Sequence, residues 1–145
     1  MFEKIIFPYD FSKYSESAIY YIKALKSVGA KEIIIVYVAE YEELFTHILY
    51  KEIEIKEFER KTRLRLKPVK DEFEKEGFAV TIYVEFGKPS KVIVSKAVKE
   101  KANLIVMGAQ GQGAISSFFL GSTAANVLKV SPIPVLIIPL KEEHL

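Results

Sequence analysis

The residues best suited to bind a charged ligand lie in a glycine-rich segment, residues 108–123. Four of the seven glycines of the chain fall there, followed by two hydroxyl residues: Gly108, Gly111, Gly113, Gly121, Ser122 and Thr123. Glycine allows positive φ angles and close approach of the backbone to a ligand. A helix beginning there would add unpaired N–H groups and the positive end of its dipole. The segment predicts a phosphate site, although a tight turn with an ordinary helix cap fits the same residues.

Other catalytic chemistry has little support in the sequence. The chain has no cysteine, which excludes a thiol nucleophile and a cysteine zinc site. Its two histidines, His47 and His144, lie far apart. It contains neither a Gly-Lys-Ser/Thr P-loop nor a Gly-x-Gly-x-x-Gly motif after the first strand. No general base is evident near the glycine-rich segment, so we expect a binding protein with weak hydrolytic activity at most.

Asp10, at the end of the first predicted strand, is a second candidate. It could cap the following helix or contact a ligand at the edge of the sheet. A magnesium and phosphoryl site of the response-regulator kind would need a second acid beside it and an aspartate at the end of the third strand. The chain has Glu85, Phe86 and Gly87 there, so we do not expect that site.

Composition indicates a single domain, residues 1–145, in which half of the residues are apolar. The net charge of +2 is too small to argue for nucleic acid or membrane binding. No apolar run approaches the ~20 residues of a spanning helix, and the start does not resemble a signal peptide, so we expect a cytoplasmic protein. Scarce asparagine and glutamine, with abundant lysine and glutamate, point to a thermophilic source.

Strand-like and helix-like segments alternate along the chain. Apolar runs predict strands at 4–9, 32–39, 78–86, 103–107 and 135–138, with helical patterns between them. This order predicts βαβ units and an open, doubly wound, five-stranded parallel sheet in three layers. Ligands of such sheets bind beyond the carboxyl ends of the strands, which is where the glycine-rich segment begins.

Residues 41–76 form a long and highly charged segment. Side chains recur in it at spacings of three and four, which predicts one helical stripe: Ile55, Phe58, Thr62, Leu66, Val69 and Phe73. Pro68 should kink or split this helix. Five basic residues between Lys61 and Lys70 are expected to form a solvated face, because acidic residues flank them on both sides.

Order and spacing of several motifs together resemble the ATP-binding branch of the universal stress protein family. That family carries Gly, two residues, Gly, nine residues, then Gly and Ser or Thr, and Gly108, Gly111 and the Gly121-Ser122 pair match this spacing. The Pro-x-Asp turn at 8–10 and the second strand around residues 36–38 are also similar. The resemblance implies a Rossmann-like fold of the adenine nucleotide alpha hydrolase kind, with strand order 3-2-1-4-5.

The resemblance also implies roles for particular residues. Contacts with adenine or ribose would come from Asp10 and Val38, with Pro8 beside them and Met107 also lining the nucleotide. The phosphates would be held by Gly108, Gly111, Gly121, Ser122 and, by adjacency, Thr123. The ligand would be ATP, or AMP or ADP, with Mg²⁺ or Mn²⁺ riding on the phosphates. The family pairs through its last strand, so a homodimer through residues 134–139 is expected.

Two departures from the family pattern lie in the glycine-rich segment. Members often carry Arg, His or Lys there, whereas this chain has Gln110 and Gln112. Neutral amides bind phosphate less strongly than charged donors, so we expect lower phosphate affinity or a shift from ATP toward AMP or ADP. The resemblance implies a regulatory or stress-response switch with an unknown protein partner. A slow ATPase or phosphotransferase, and a nucleotide-free homodimeric interaction module, are the alternatives.

Overall fold

A computed structural model describes residues 1–40, 52–113 and 119–140. Helical segments alternate with five strands: β1 (Lys4–Pro8), α1 (Lys13–Ala24) with a following 3-10 turn (Leu25–Val28), β2 (Glu32–Ala39), α2 (Glu52–Lys75), β3 (Ala79–Phe86), α3 (Pro89–Lys99), β4 (Leu104–Gly108), α4 (Ser122–Val130) and β5 (Val135–Ile138). The predictions made for residues 41–51, for 114–118 and for both histidines lie outside the described residues. Among the described residues, none of the helices combines the length and the apolar composition of a membrane span.

All five strands pair in parallel, in the order β3-β2-β1-β4-β5. This confirms the predicted doubly wound sheet and its strand order. At the centre, Ile6 is in register with Ile34 of β2 and Ile105 of β4. The inner strands are apolar at nearly every position because both of their faces are covered by helices.

Alternation of side chains along the strands produces one core on each face of the sheet. On one face, Ile5 and Phe7 of β1 pack with residues of α1 and α2. On the other, Ile6 packs with residues of α3 and α4, including Ile93 and Val127. The molecule therefore has the predicted three layers, with the central sheet between two pairs of helices.

The long helix α2 buries the predicted stripe. Thr62, Leu66, Val69 and Phe73 are buried, and Phe58 packs against the same core. Of the two effects predicted for Pro68, a kink or a split, the split is wrong, because α2 continues through Pro68. Proline removes the N–H that would reach the Leu64 carbonyl, but Leu64 is 55% exposed, so water can hydrate that group.

Candidate functional site

A cleft of about 400 Å³ opens at the carboxyl ends of β1, β2 and β4. It lies between β1 and β4, where the strand order reverses and doubly wound sheets bind their ligands. Its lining includes all nine residues predicted as a site: Pro8, Asp10, Val38, Met107, Gly108, Gly111, Gly121, Ser122 and Thr123. The fold thus gathers residues from four separate segments, and their contact with a nucleotide stays a prediction.

Asp10 lines the cleft, and its carboxylate accepts three hydrogen bonds. Its Oδ1 accepts from the Ser12 backbone N–H at 3.0 Å and from the Ser15 hydroxyl at 2.7 Å. Its Oδ2 accepts from the Gln112 backbone N–H at 3.2 Å. The cap of α1 is Ser12, whose hydroxyl accepts from the Ser15 N–H at 3.1 Å. Asp10 therefore supports the capping turn and does not itself act as the cap.

Gln112 contacts Asp10 a second time, because its side-chain amide donates to the Asp10 backbone carbonyl at 2.9 Å. The Gln112 backbone N–H thus donates to the Asp10 side chain, and the Gln112 side chain donates to the Asp10 backbone. We call this four-group arrangement the Asp10–Gln112 clasp. It joins the glycine-rich loop to the turn between β1 and α1, across the cleft.

Close packing explains three glycines of the loop without any ligand. A Cβ on Gly108 would lie 2.5 Å from the Tyr14 Cβ, so glycine lets α1 approach β4. A Cβ on Gly111 would lie 2.6 Å from the Asp10 Oδ2, and one on Gly121 would lie 3.2 Å from the Gln110 Cα. Gly113 differs, since its φ of +76° requires a left-handed conformation while nothing lies within 4 Å of its Cβ position.

The start of α4 supplies hydrogen-bond donors to the cleft. Its cap, Gly121, has an extended backbone and makes no side-chain hydrogen bond to the helix. The first-turn residues Ser122 and Thr123 line the cleft and carry hydroxyl groups as well as N–H groups. A helix start whose cap residue is a glycine attracts anions through its N–H groups and through a charge of roughly +0.5 from the helix dipole.

Apolar side chains at the strand ends and on α3 form one wall of the cleft. Val36, Ile93 and Met107 line the cleft and are each at most 5% exposed, and Pro8 and Val38 extend the same surface. Burying a flat, apolar group against such a wall removes its surface from water, which is favourable. The cleft therefore has an apolar part suited to a base and an amide-rich part suited to a phosphate.

The charged side chains of the cleft are acidic. Asp10 and Glu40 line it, whereas none of the described lining residues is Lys, Arg or His. The whole segment 108–123 also lacks a basic residue in the sequence. Within the described chain no cluster of three or more acidic or histidine side chains could hold a metal ion.

Tyr9 connects the cleft to the outer surface of α1. Its ring is buried and lines the cleft, and its hydroxyl donates a hydrogen bond to Glu16. Partial burial, followed in effect by the charge of Glu72, raises the pKa of the Glu16 carboxyl above its usual value. The carboxyl that accepts this hydrogen bond is thus easier to protonate than an ordinary glutamate.

Phe11 forms a strained turn between Asp10 and α1. Its φ of 65° is unusual for a residue with a side chain. The Arg65 guanidinium of α2 lies 3.8 Å from the centre of its ring, and the rings of Tyr9 and Tyr37 lie 5.0 and 5.8 Å away. These contacts pack α2 directly against the turn that positions Asp10.

Some lining residues were missed in the sequence: Tyr9, Ser15, Tyr37, Glu40, Pro89, Ile93 and Ala124. Two of them lie at the end of β2 and two on α3, which flanks it. Any sheet of this strand order places those two segments beside the end of β1, so topology was the signal that could have found them.

Known proteins resemble this chain in both sequence and fold. A model of the universal stress protein family matches residues 1–139. The chain belongs to the universal stress protein family. This universal stress protein is 32% identical to MJ0577 of Methanocaldococcus jannaschii, with 97% of both chains covered. The solved structure of MJ0577 matches with a TM-score of 0.88 at 31% identity, covering 98% of this chain and 99% of that one.

Two further relatives share the family with this universal stress protein. One, encoded in the QAH/OAS sulfhydrylase 3′ region of Thermus aquaticus, is 32% identical, with 95% of this chain and 99% of its own covered. The other was solved in complex with cAMP and has a TM-score of 0.68 at 22% identity, covering 97% and 98% of the two chains. The second likeness extends to the fold alone.

Proposed function

We propose that this universal stress protein binds an adenine nucleotide in the cleft and acts as a regulatory or stress-response switch. The observation that carries the proposal is the division of one cleft into an apolar wall and a helix start capped by a glycine. The adenine and ribose would lie against Pro8, Val38 and Met107, near Asp10. A phosphate would lie at Ser122 and Thr123 and along the glycines of the loop.

Two lines of support come from outside the cleft geometry. Family membership raises the expectation of nucleotide binding, and a protein of the same fold was solved with cAMP. Mg²⁺ or Mn²⁺ would accompany ATP only through the phosphates, because the described residues offer no ligand cluster of their own. In a switch of this kind, the bound state changes which protein surface is available to a partner.

The proposal is tested by mass spectrometry of small molecules released from the purified, heat-denatured protein, together with calorimetric titration of ATP, ADP and AMP. We expect at least one adenine nucleotide to bind. Gly121→Val should abolish that binding, because added carbon atoms would press on the loop at Gln110. Leu66→Ala, which opens the core away from the cleft, is the control for general destabilisation. Parental affinity in Gly121→Val would contradict the assignment.

ATP turnover, nucleotide release and the thermal shift with ATP separate the alternatives. Several turnovers of ATP per minute would favour the slow ATPase or phosphotransferase. The described cleft gives little support to that reading, since the Asp10 carboxylate is engaged by three donors. Absence of released nucleotide, with no thermal shift on adding ATP, would favour a nucleotide-free interaction module.

We also propose a homodimer through residues 134–139. The edge strand β5 exposes Leu136, which is 37% accessible, and the neighbouring helix α4 exposes Leu128 and Val130. An apolar edge strand needs cover to avoid uncontrolled pairing. Leu136→Lys should yield monomers by light scattering, whereas Ile137 also packs against the α3–α4 core and is a poorer probe. A monomeric parent, or an unchanged dimer in Leu136→Lys, would contradict this interface.

A further inference from the structure

Of the described residues other than glycine, Phe11 and Lys101 alone have a left-handed backbone, at φ 65° and 55°. Lys101 lies two residues after α3, where the N–H groups of Lys101 and Ala102 donate back to carbonyls of the last helical turn. This is the ordinary way in which a left-handed residue ends a helix. Phe11 ends no helix and lies before Ser12, the cap of α1. Backbone strain of this second kind is concentrated at binding sites, where surrounding contacts maintain it.

The turn at Phe11 sets the direction of the Asp10 carboxylate. Across Phe11, the Ser12 N–H donates to the Asp10 Oδ1 at 3.0 Å, which closes a turn of the kind that aspartate side chains form with the backbone two residues on. The Ser15 hydroxyl donates to the same oxygen at 2.7 Å and accepts from the Asp10 N–H at 3.2 Å. With Oδ1 fixed in this way, Oδ2 is left to accept from the Gln112 N–H of the glycine-rich loop.

Side chains from three elements hold the Phe11 ring. The rings of Tyr9 and Tyr37 contact it at centre distances of 5.0 and 5.8 Å, and the Arg65 guanidinium carbon lies 3.8 Å from its centre. A planar guanidinium over an aromatic face is attracted electrostatically and also stacks. Arg65 forms no salt bridge in the described part of the chain, so its guanidinium is committed to this ring.

Resting on the proposed adenine-nucleotide function, we propose that Phe11 and Arg65 are positioning residues of the cleft. Neither is among the described lining residues, so both act through Asp10, which under that function lies near the adenine and ribose. Arg65 holds the Phe11 ring, the ring stabilises the left-handed turn, and the turn presents Asp10 to the nucleoside. Nucleotide affinity therefore depends on a side chain of α2 that does not touch the ligand.

The test is calorimetric titration of adenosine and AMP into the full chain. Arg65→Met keeps an unbranched side chain and removes the guanidinium from the ring. We expect the affinity for both ligands to fall by the same factor, about fivefold, the size expected for one cation–π contact. A loss for AMP alone would mean that Arg65 acts by its charge on the phosphate, and would overturn the proposal.

Lys61→Met is the matched control, because it removes the same charge from an exposed position one turn earlier in α2. It should bind both ligands as the parent does, and a loss equal to that of Arg65→Met would overturn the proposal. Arg65→Lys should lie between the parent and Arg65→Met, since an ammonium group keeps the charge but lacks the stacking plane.

A double-mutant cycle tests the route through Phe11. Phe11→Leu keeps an apolar side chain and removes the aromatic face. Adding Arg65→Met to Phe11→Leu should weaken binding little further, because the guanidinium no longer has a ring to hold. Additive losses from the two substitutions would overturn this route.

Hydrogen exchange without ligand separates positioning from general stability. The amides of Ser12 and Gln112, which donate to the Asp10 carboxylate, should exchange faster in Arg65→Met. The amide of Leu66, in the buried part of α2, should keep its parental rate. Equal acceleration of all three, or parental affinity for both ligands in Arg65→Met, would overturn the positioning role and leave the proposed function standing. Binding of neither ligand to the parent would overturn both.

Discussion

Gln112 donates to Asp10 from both its backbone and its side chain, to the carboxylate at 3.2 Å and to the main-chain carbonyl at 2.9 Å. The two residues are 102 positions apart in the chain. This clasp joins the loop after β4 to the turn after β1, which are the two sides of the cleft. Any change that loosens it should affect both stability and ligand binding.

Gly111→Ala should break the clasp, because its Cβ would lie 2.6 Å from the Asp10 Oδ2. We expect a loss of about 1–3 kcal/mol in the free energy of unfolding, the usual effect of overpacking, measured by urea denaturation. Hydrogen exchange at the Gln112 amide should accelerate in parallel. Gly113→Asn is the matched control, since asparagine tolerates a left-handed backbone and the Cβ position is open. Equal destabilisation by both variants would contradict the role given to the clasp.

Gly108→Ala should destabilise the protein more than Gly121→Ala. The new Cβ at position 108 would lie 2.5 Å from the Tyr14 Cβ, on a helix that cannot shift without disturbing the core. At position 121 the closest approach is 3.2 Å, to a loop atom that can move by a few tenths of an ångström. Thermal unfolding monitored by circular dichroism checks the order, and the opposite order would show that α1 adapts more easily than the loop.

Leu66→Ala should lower the free energy of unfolding by about 2–5 kcal/mol, because its side chain is fully buried between α2 and the sheet. Leu64→Ala is the control on the same helix, with 55% of that residue exposed. Its effect should stay within about 0.5 kcal/mol, as for most surface substitutions. Chemical denaturation of both variants measures the difference, and similar losses would mean that α2 packs through another face.

Glu16 should make stability depend on pH. Burial, and then the charge of Glu72, raises the pKa of Glu16 in the folded chain, so the folded state binds this proton more readily than the unfolded one. The stabilisation that comes from protonating Glu16 is complete below the ordinary glutamate pKa. It is lost as pH rises through the raised pKa of the folded chain. The group is partly exposed, so solvent keeps the effect small.

Glu16→Gln removes that titration and should flatten the dependence of the urea midpoint on pH across this acidic interval. The exposed residue Glu3 supplies the control, and Glu3→Gln should follow the parental profile. A Glu16→Gln profile with the parental slope would contradict the assigned shift. Direct carboxyl titration by carbon NMR provides a second measurement of the same group.

Most of the fold could be predicted from the spacing of apolar residues along the chain. Strand segments and the α2 stripe are local patterns, so the sequence alone predicts them. A proline inside a helix predicts a kink or a split, because it removes an N–H and leaves a carbonyl without its partner. The structure instead places that position on the solvent side of α2, where the cost is small. Whether a proline interrupts a helix thus depends on exposure, which periodicity does not report.

Residue types and their order were enough to predict a parallel sheet with a glycine-rich loop at its ligand-binding edge, because those features arise from local geometry. The resemblance to the universal stress protein family added particular site residues, and the nine predicted residues all line one cleft. Packing between distant segments accounts for the rest. Tyr14 beneath Gly108, and Asp10 beneath Gly111 and Gln112, restrict these loop positions through atoms far away in the chain. Such contacts depend on how α1 packs against β4, and no spacing along the chain encodes that distance.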